Sequence, residues 1–165
     1  MTKIVLSIHV LAAIILIGPA TVAASLFPRY ARQALAPDAA APETVKATAA
    51  LRLLHRVTRV YAAASVAVPA FGIGTAQMMG VMGDAWLIAS MALTTVAAVL
   101  LAFAVFTQDA VIDALDARET EDGTPDLPAL TARLPRLAMA TGLFALTWTA
   151  VTILMIIRPG STTGA

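Results

Sequence analysis

The chain has 165 residues, 59% of them hydrophobic and only 13% charged, with a formal net charge of +1 and no cysteine. A water-soluble domain carries roughly 25% charged residues, so this composition argues against the soluble, disordered and nucleic-acid-binding classes. The missing cysteine excludes disulfides, thiolate metal sites, cysteine-ligated iron–sulfur clusters and a cysteine nucleophile.

Four stretches contain no Asp, Glu, Lys or Arg: Ile4–Phe27, Val60–Gly83, Ala85–Gln108 and Leu137–Ile157, of 24, 24, 24 and 21 residues. About 20 apolar residues in a helix cross ~30 Å of hydrocarbon. Backbone polar groups must pair within the segment there, which selects helix. Strand-length alternation is absent, so a barrel is not expected. The predicted fold is all-α, a single integral membrane domain built as a four-helix transmembrane bundle.

The first helix is expected over 4–27, ending near Phe27 and Pro28. Lys3, the apolar run and the small residues Val22, Ala23 and Ala24 before Ser25 also resemble a cleavable signal. The basic segment that follows favours an uncleaved spanning helix. The segment Tyr30–Ala41, with Pro37 and Asp38, reads as a loop or short amphipathic piece. The second helix is expected over 42–80, opened by Pro42, whose missing N–H costs nothing in a first turn. Pro69, Gly72 and Gly74 predict a bend in its membrane part. The short link Gly80–Gly83 makes an antiparallel hairpin with a third helix over 85–118. Thr120–Pro128 reads as a turn-rich loop. The fourth helix is expected over 134–157, begun near Pro128 or Pro135 and stopped before Arg158, Pro159 and Gly160.

Basic residues orient the chain. Arg29, Arg32, Lys46, Arg52, Arg56, Arg59, Arg118, Arg133 and Arg136 fall in the two long connections, against Lys3 and Arg158 on the other side. By the positive-inside rule, both connections are cytoplasmic and both termini lie outside a bacterial plasma membrane. Helices 2 and 3 then carry cytoplasmic extensions. Arg52, Arg56 and Arg59 share one face of the first extension, and Asp109, Asp113 and Asp116 share one face of the second. The hairpin predicts an ion-pair ladder of Arg59 with Asp109, Arg56 with Asp113 and Arg52 with Asp116. A contact of the Arg stripe with anionic lipid is the functional alternative. Ala85/Ala89, Ala138/Gly142 and Ala145/Thr149 are small-xxx-small pairs suited to internal packing or to the seam of a homo-oligomer or larger complex.

His9 is the one ionisable residue inside a predicted span. Such groups are costly there and are functional candidates by default. Counting from the run midpoints, His9 lies ~10 Å outward of the midplane and His55 ~25 Å inward, so the two cannot ligate one metal ion within a subunit. Met78, Met79, Met91 and Met155 fall near the level of His9, and Met82 in the adjacent turn. Imidazole and thioether suit Cu(I), and His/Met pairs hold haem iron. The same methionines also suit ordinary core packing. Asp113, Glu119, Glu121 and Asp122 read as a solvated acidic edge, and His55 as an interfacial residue beside the Arg stripe. Trp86 fits an interfacial aromatic belt, and Trp148 sits near the midplane.

The stretch from His9 to Gly18, HVLAAIILIG, resembles the first helix of a bacterial group. That group comprises the copper-resistance D-type membrane domain, the HemJ-type protoporphyrinogen oxidase and small uncharacterised integral membrane proteins. There an early His is followed about nine residues later by Gly, often within Trp-x-Gly-Gly. Here Gly18 matches, whereas Leu16 replaces the Trp and Pro19 the second Gly. The resemblance implies that His9 is associated with haem or copper. Three readings follow: a small non-enzymatic membrane protein that binds haem b or Cu(I) near His9 or serves as a subunit of a complex; a HemJ-like porphyrin oxidoreductase; and a transporter or channel component.

Overall fold

The computed structural model describes residues 2–36, 41–119 and 126–160. It is all-helical among those residues, with four helices long and apolar enough to span a membrane. We label them α1 (Lys3–Ala34), α2 (Pro42–Met79), α3 (Ala85–Arg118) and α4 (Leu127–Ile157). Lys3, Met79, Ala85 and Ile157 mark one end of the bundle, called here the termini end. The opposite end carries the cluster of arginines and is called the basic end. Pro37 and Asp38, with Glu121, Asp122 and most of the turn-rich loop, lie outside the described residues.

Two helices are longer than the sequence suggests. α1 does not stop at Pro28 but continues to Ala34, with Pro28 buried inside the helix. The stop expected from proline is overridden by packing. Phe27, Ala31 and Ala34 are all buried in one cluster with Leu51 and Leu134, so ending the helix would forfeit that contact. α4 begins at Leu127 rather than residue 134, because Asp126 caps it and Pro128 occupies its first turn. The Asp126 carboxylate accepts from the Ala129 N–H at 3.0 Å. Asp126→Ala is expected to cost about 1 kcal/mol, read as a small fall in the thermal midpoint in detergent.

Two departures from regular helix have local causes. Residues Ala13–Ile17 of α1 form a π-helical turn. Pro19 follows it and supplies no N–H to the carbonyl four residues back. α2 is interrupted between Ala64 and Ala67. Pro69 withdraws the donor that Ser65 carbonyl would have used, and Val68 N–H bonds that carbonyl instead at 2.9 Å. The bend expected around Pro69, Gly72 and Gly74 thus falls one turn earlier, at Ser65 and Val66.

α1 lies along α2, and α3 along α4. The halves of these pairs nearest the basic end also pack across one another. Phe27, Ala31, Leu51, Ala104, Val111, Leu115, Leu134 and Leu137 form one buried cluster drawn from all four helices. A second apolar layer of Ile17, Val68, Ala97, Leu101 and Phe144 crosses the middle. Toward the termini end the arrangement changes. Thr2–Ala12 and Ala67–Met79 pack on each other and only marginally on α3 or α4. The two helix pairs separate there and leave a cleft.

Candidate functional site

The cleft has a volume of about 1140 Å³ and lies between the two helix pairs. Each helix contributes to its wall: His9 and Ile17 from α1, Gly72 and Met79 from α2, Trp86 and Met91 from α3, and Trp148 and Met155 from α4. The apolar layer around Phe144 and Leu101 lies between the cleft and the basic end. Trp86 is buried rather than belted in lipid, and its indole N–H donates to the Asp84 carboxylate at 2.9 Å. The Arg158 guanidinium sits over the Trp86 ring, 5.6 Å from its centroid. Arg158 also caps α4 in a left-handed conformation (φ 46°) and donates from Nε to the Met155 carbonyl at 3.2 Å. A cation therefore lines an otherwise largely apolar cleft.

His9 is held tightly. It is 93% buried, and its Nδ1 lies 3.0 Å from the Val68 carbonyl oxygen. A carbonyl only accepts, so Nδ1 carries the hydrogen and neutral His9 is fixed in one tautomer. Nε2 is left with its lone pair and has no hydrogen-bond partner among the described residues. Orientation of one ring nitrogen by a backbone carbonyl is how ligating histidines are aimed. Gly72 makes the contact fit. A Cβ built there would lie 3.0 Å from His9 Cε1 and 3.5 Å from Nδ1, so the ring rests directly on the α2 backbone. The π turn of α1 begins four residues after His9. Such turns occur mostly where a helix must re-aim side chains.

Of the methionines at this level, Met79, Met91, Met155 and Met82 line the cleft. Met78 does not: it is exposed on a face of α2 outside the lining. Among the described residues, no group of three or more His, Cys, Asp or Glu side chains is placed to hold a metal ion.

The charged stripes meet at the basic end. Arg52 Nη2 bonds Asp116 Oδ1 at 2.7 Å, and Arg59 Nη1 reaches Asp109 Oδ1 at 3.8 Å. Arg56 and Asp113 form no ion pair with each other among the described residues. His55 takes a rung instead, with Nε2 3.2 Å from Asp109 Oδ1. It is the better placed, because its side chain is only 14% exposed and turned toward α3, whereas Arg56 and Asp113 are exposed.

Sequence reasoning singled out His9 but missed its partners, Val68 and Gly72. A lone His and a Gly-containing bend do not announce that they touch across 59 or more residues of chain. No curated protein and no solved structure matches the chain. Residues 3–159 match the family described as predicted integral membrane protein (DUF2269), and the chain, a multi-pass integral membrane protein, belongs to that family.

Proposed function

We propose that the cleft is a cofactor site and that the protein is a membrane haem-binding protein in which His9 Nε2 would hold the iron. The observation that carries this reading is the fixed tautomer of His9 at the wall of a wide apolar cleft. The cleft volume of about 1140 Å³ favours a flat organic macrocycle over a bare ion, since a copper ion is gripped by close donors in a small pocket. Met79, Met91 and Met155 line the same cleft and offer thioethers that could also hold the iron. Arg158 offers a guanidinium to a carboxylate substituent. Bound haem would supply a one-electron couple whose potential depends on the axial ligand and the low-dielectric surroundings.

The apolar layer of Ile17, Val68, Ala97, Leu101 and Phe144 supports a closed site over a transport path. The likeness of His9–Gly18 to the copper-resistance D-type and HemJ-type first helix points the same way. The excess of Arg and Lys in the two long connections supports a plasma-membrane orientation with the basic end in the cytoplasm and the cleft toward the outside.

Absorption spectra of the purified protein, oxidised and then reduced, test this directly. The expected result is a Soret band with α and β bands that sharpen on reduction. His9→Asn, whose amide nitrogen takes the place of Nδ1, keeps an N–H donor for the Val68 carbonyl but removes the ligand nitrogen, and it is expected to abolish those bands without loss of helix by circular dichroism. A featureless spectrum, before and after haem addition, would overturn the haem reading. Stoichiometric Cu(I) binding lost in Met91→Leu would then favour copper.

A further inference from the structure

A second polar site lies at the basic end, away from the cleft. Gln108 is completely buried, and among the described residues neither its amide nitrogen nor its amide oxygen has a hydrogen-bond partner. His55 Nδ1 is also buried and unpartnered. Buried amides and imidazoles without partners are rare in folded proteins, and an ordered water is the usual remedy.

The two groups lie in one layer of the bundle. His55 is fixed to Asp109, the residue next to Gln108, by its other ring nitrogen at 3.2 Å. Gln108 falls between Ala104 and Val111 on the core-facing side of α3, and both belong to the buried cluster that includes Leu51, four residues before His55. The buried hydroxyl of Thr58, on the same side of α2, spends its hydrogen on the Leu54 carbonyl at 2.9 Å and keeps lone pairs to accept with.

From this arrangement we infer that Gln108 and His55 share an internal water and that the trio forms a proton-accepting site anchored by Asp109. With His55 neutral, Nε2–H donates to Asp109 and Nδ1 is an acceptor. The Gln108 N–H then donates to the water, and the water donates to Nδ1. When a proton from bulk solvent adds to Nδ1, that N–H donates to the water, and the water donates to Gln108 Oε1 after the amide turns over. An amide both donates and accepts, so Gln108 serves both states. The charged and titratable groups around His55 are Asp109 on α3 and Arg52, Arg56 and Arg59 on α2 itself. α1 and α4 bring the apolar Phe27, Ala31, Leu134 and Leu137 to this layer, and α1 also packs Tyr30, with its phenol, against the same cluster.

The test uses full-length protein in nanodiscs with ¹⁵N-labelled histidine. His9 and His55 are the two histidines, and His9→Gln assigns their signals. The expected result is a neutral His55 with hydrogen on Nε2 and an Nδ1 resonance displaced by an accepted hydrogen bond, with magnetisation transfer from water. Gln108→Leu should return Nδ1 to its unbonded position and abolish the magnetisation transfer from water. Gln108→Glu, which keeps the shape and can still accept from the water, should retain the hydrogen-bonded Nδ1 resonance and covers the case in which the leucine variant does not fold. An unbonded Nδ1 in the parent protein would overturn the proposal. So would a Gln108→Leu variant whose Nδ1 resonance and water transfer match the parent, or a Gln108→Glu variant whose Nδ1 is unbonded.

Discussion

Gly72→Ala is expected to weaken the proposed haem binding by about 10–100-fold while the helices remain intact, the range seen when a ligand's orienting partner is lost. The added methyl would stand 3.0 Å from His9 Cε1. The atom in its way is the tip of a side chain rather than backbone, so the ring moves and the bundle does not. Displacing the ring by a few tenths of an ångström strains the 3.0 Å bond from Nδ1 to Val68 and loosens its hold on the tautomer. Gly74→Ala is the matched control. It lies two residues further along α2, turned to the other side of the helix, with nothing within 4 Å of its new Cβ. It is expected to be neutral or to stabilise by up to about 1 kcal/mol, the ordinary gain of alanine over glycine in a helix. Haem titration of both variants, with thermal melts alongside, checks the pair. Equal affinities would remove Gly72 from the site.

Phe27→Ala is expected to destabilise the bundle by about 2–3 kcal/mol, and Phe106→Ala to leave it unchanged. Phe27 is wholly buried in the cluster that joins all four helices, whereas Phe106 is 71% exposed on the lipid-facing surface. In a membrane the transfer term nearly vanishes, because lipid is as apolar as the core. The cavity term remains, at about 24 cal/mol per Å³ of unfilled space. Denaturation in mixed micelles, followed by circular dichroism, distinguishes the two phenylalanines. Similar melts for both would mean that the four-helix core contributes little beyond the individual helices.

The membrane architecture was legible because it rests on local arithmetic. Runs of uncharged residues such as Ala85–Gln108 are long enough to span, and no packing detail can alter that. The helix ends were less legible. Pro28 looks like a stop to any local rule, and only the burial of Phe27 and Ala31 against α2 and α4 explains why α1 continues. The depth of His9 followed from counting residues, but its contact with Gly72 depends on how α1 lies along α2. Met78 and Met79 show the same limit: they share a level, yet rotation of about 100° per residue turns only Met79 into the cleft. His55 was read as interfacial from its neighbours on the Arg stripe. Its bond to Asp109 comes from the register of two helices, which the charge pattern suggested for Arg59 but not for histidine.

The π turn at Ala13–Ile17 ties the chemistry of His9 to the length of the chain. A π turn is an α-helix with one residue too many, and removing that residue lets regular helix close over the gap. Everything before the deletion would then rotate by about 100° relative to everything after it. Ala20, Ala24 and Phe27 would keep their places in the bundle, and His9 would swing away from Val68 and Gly72. Among relatives of this chain, a one-residue gap between His9 and Gly18 would therefore mark members that kept the fold and gave up the site.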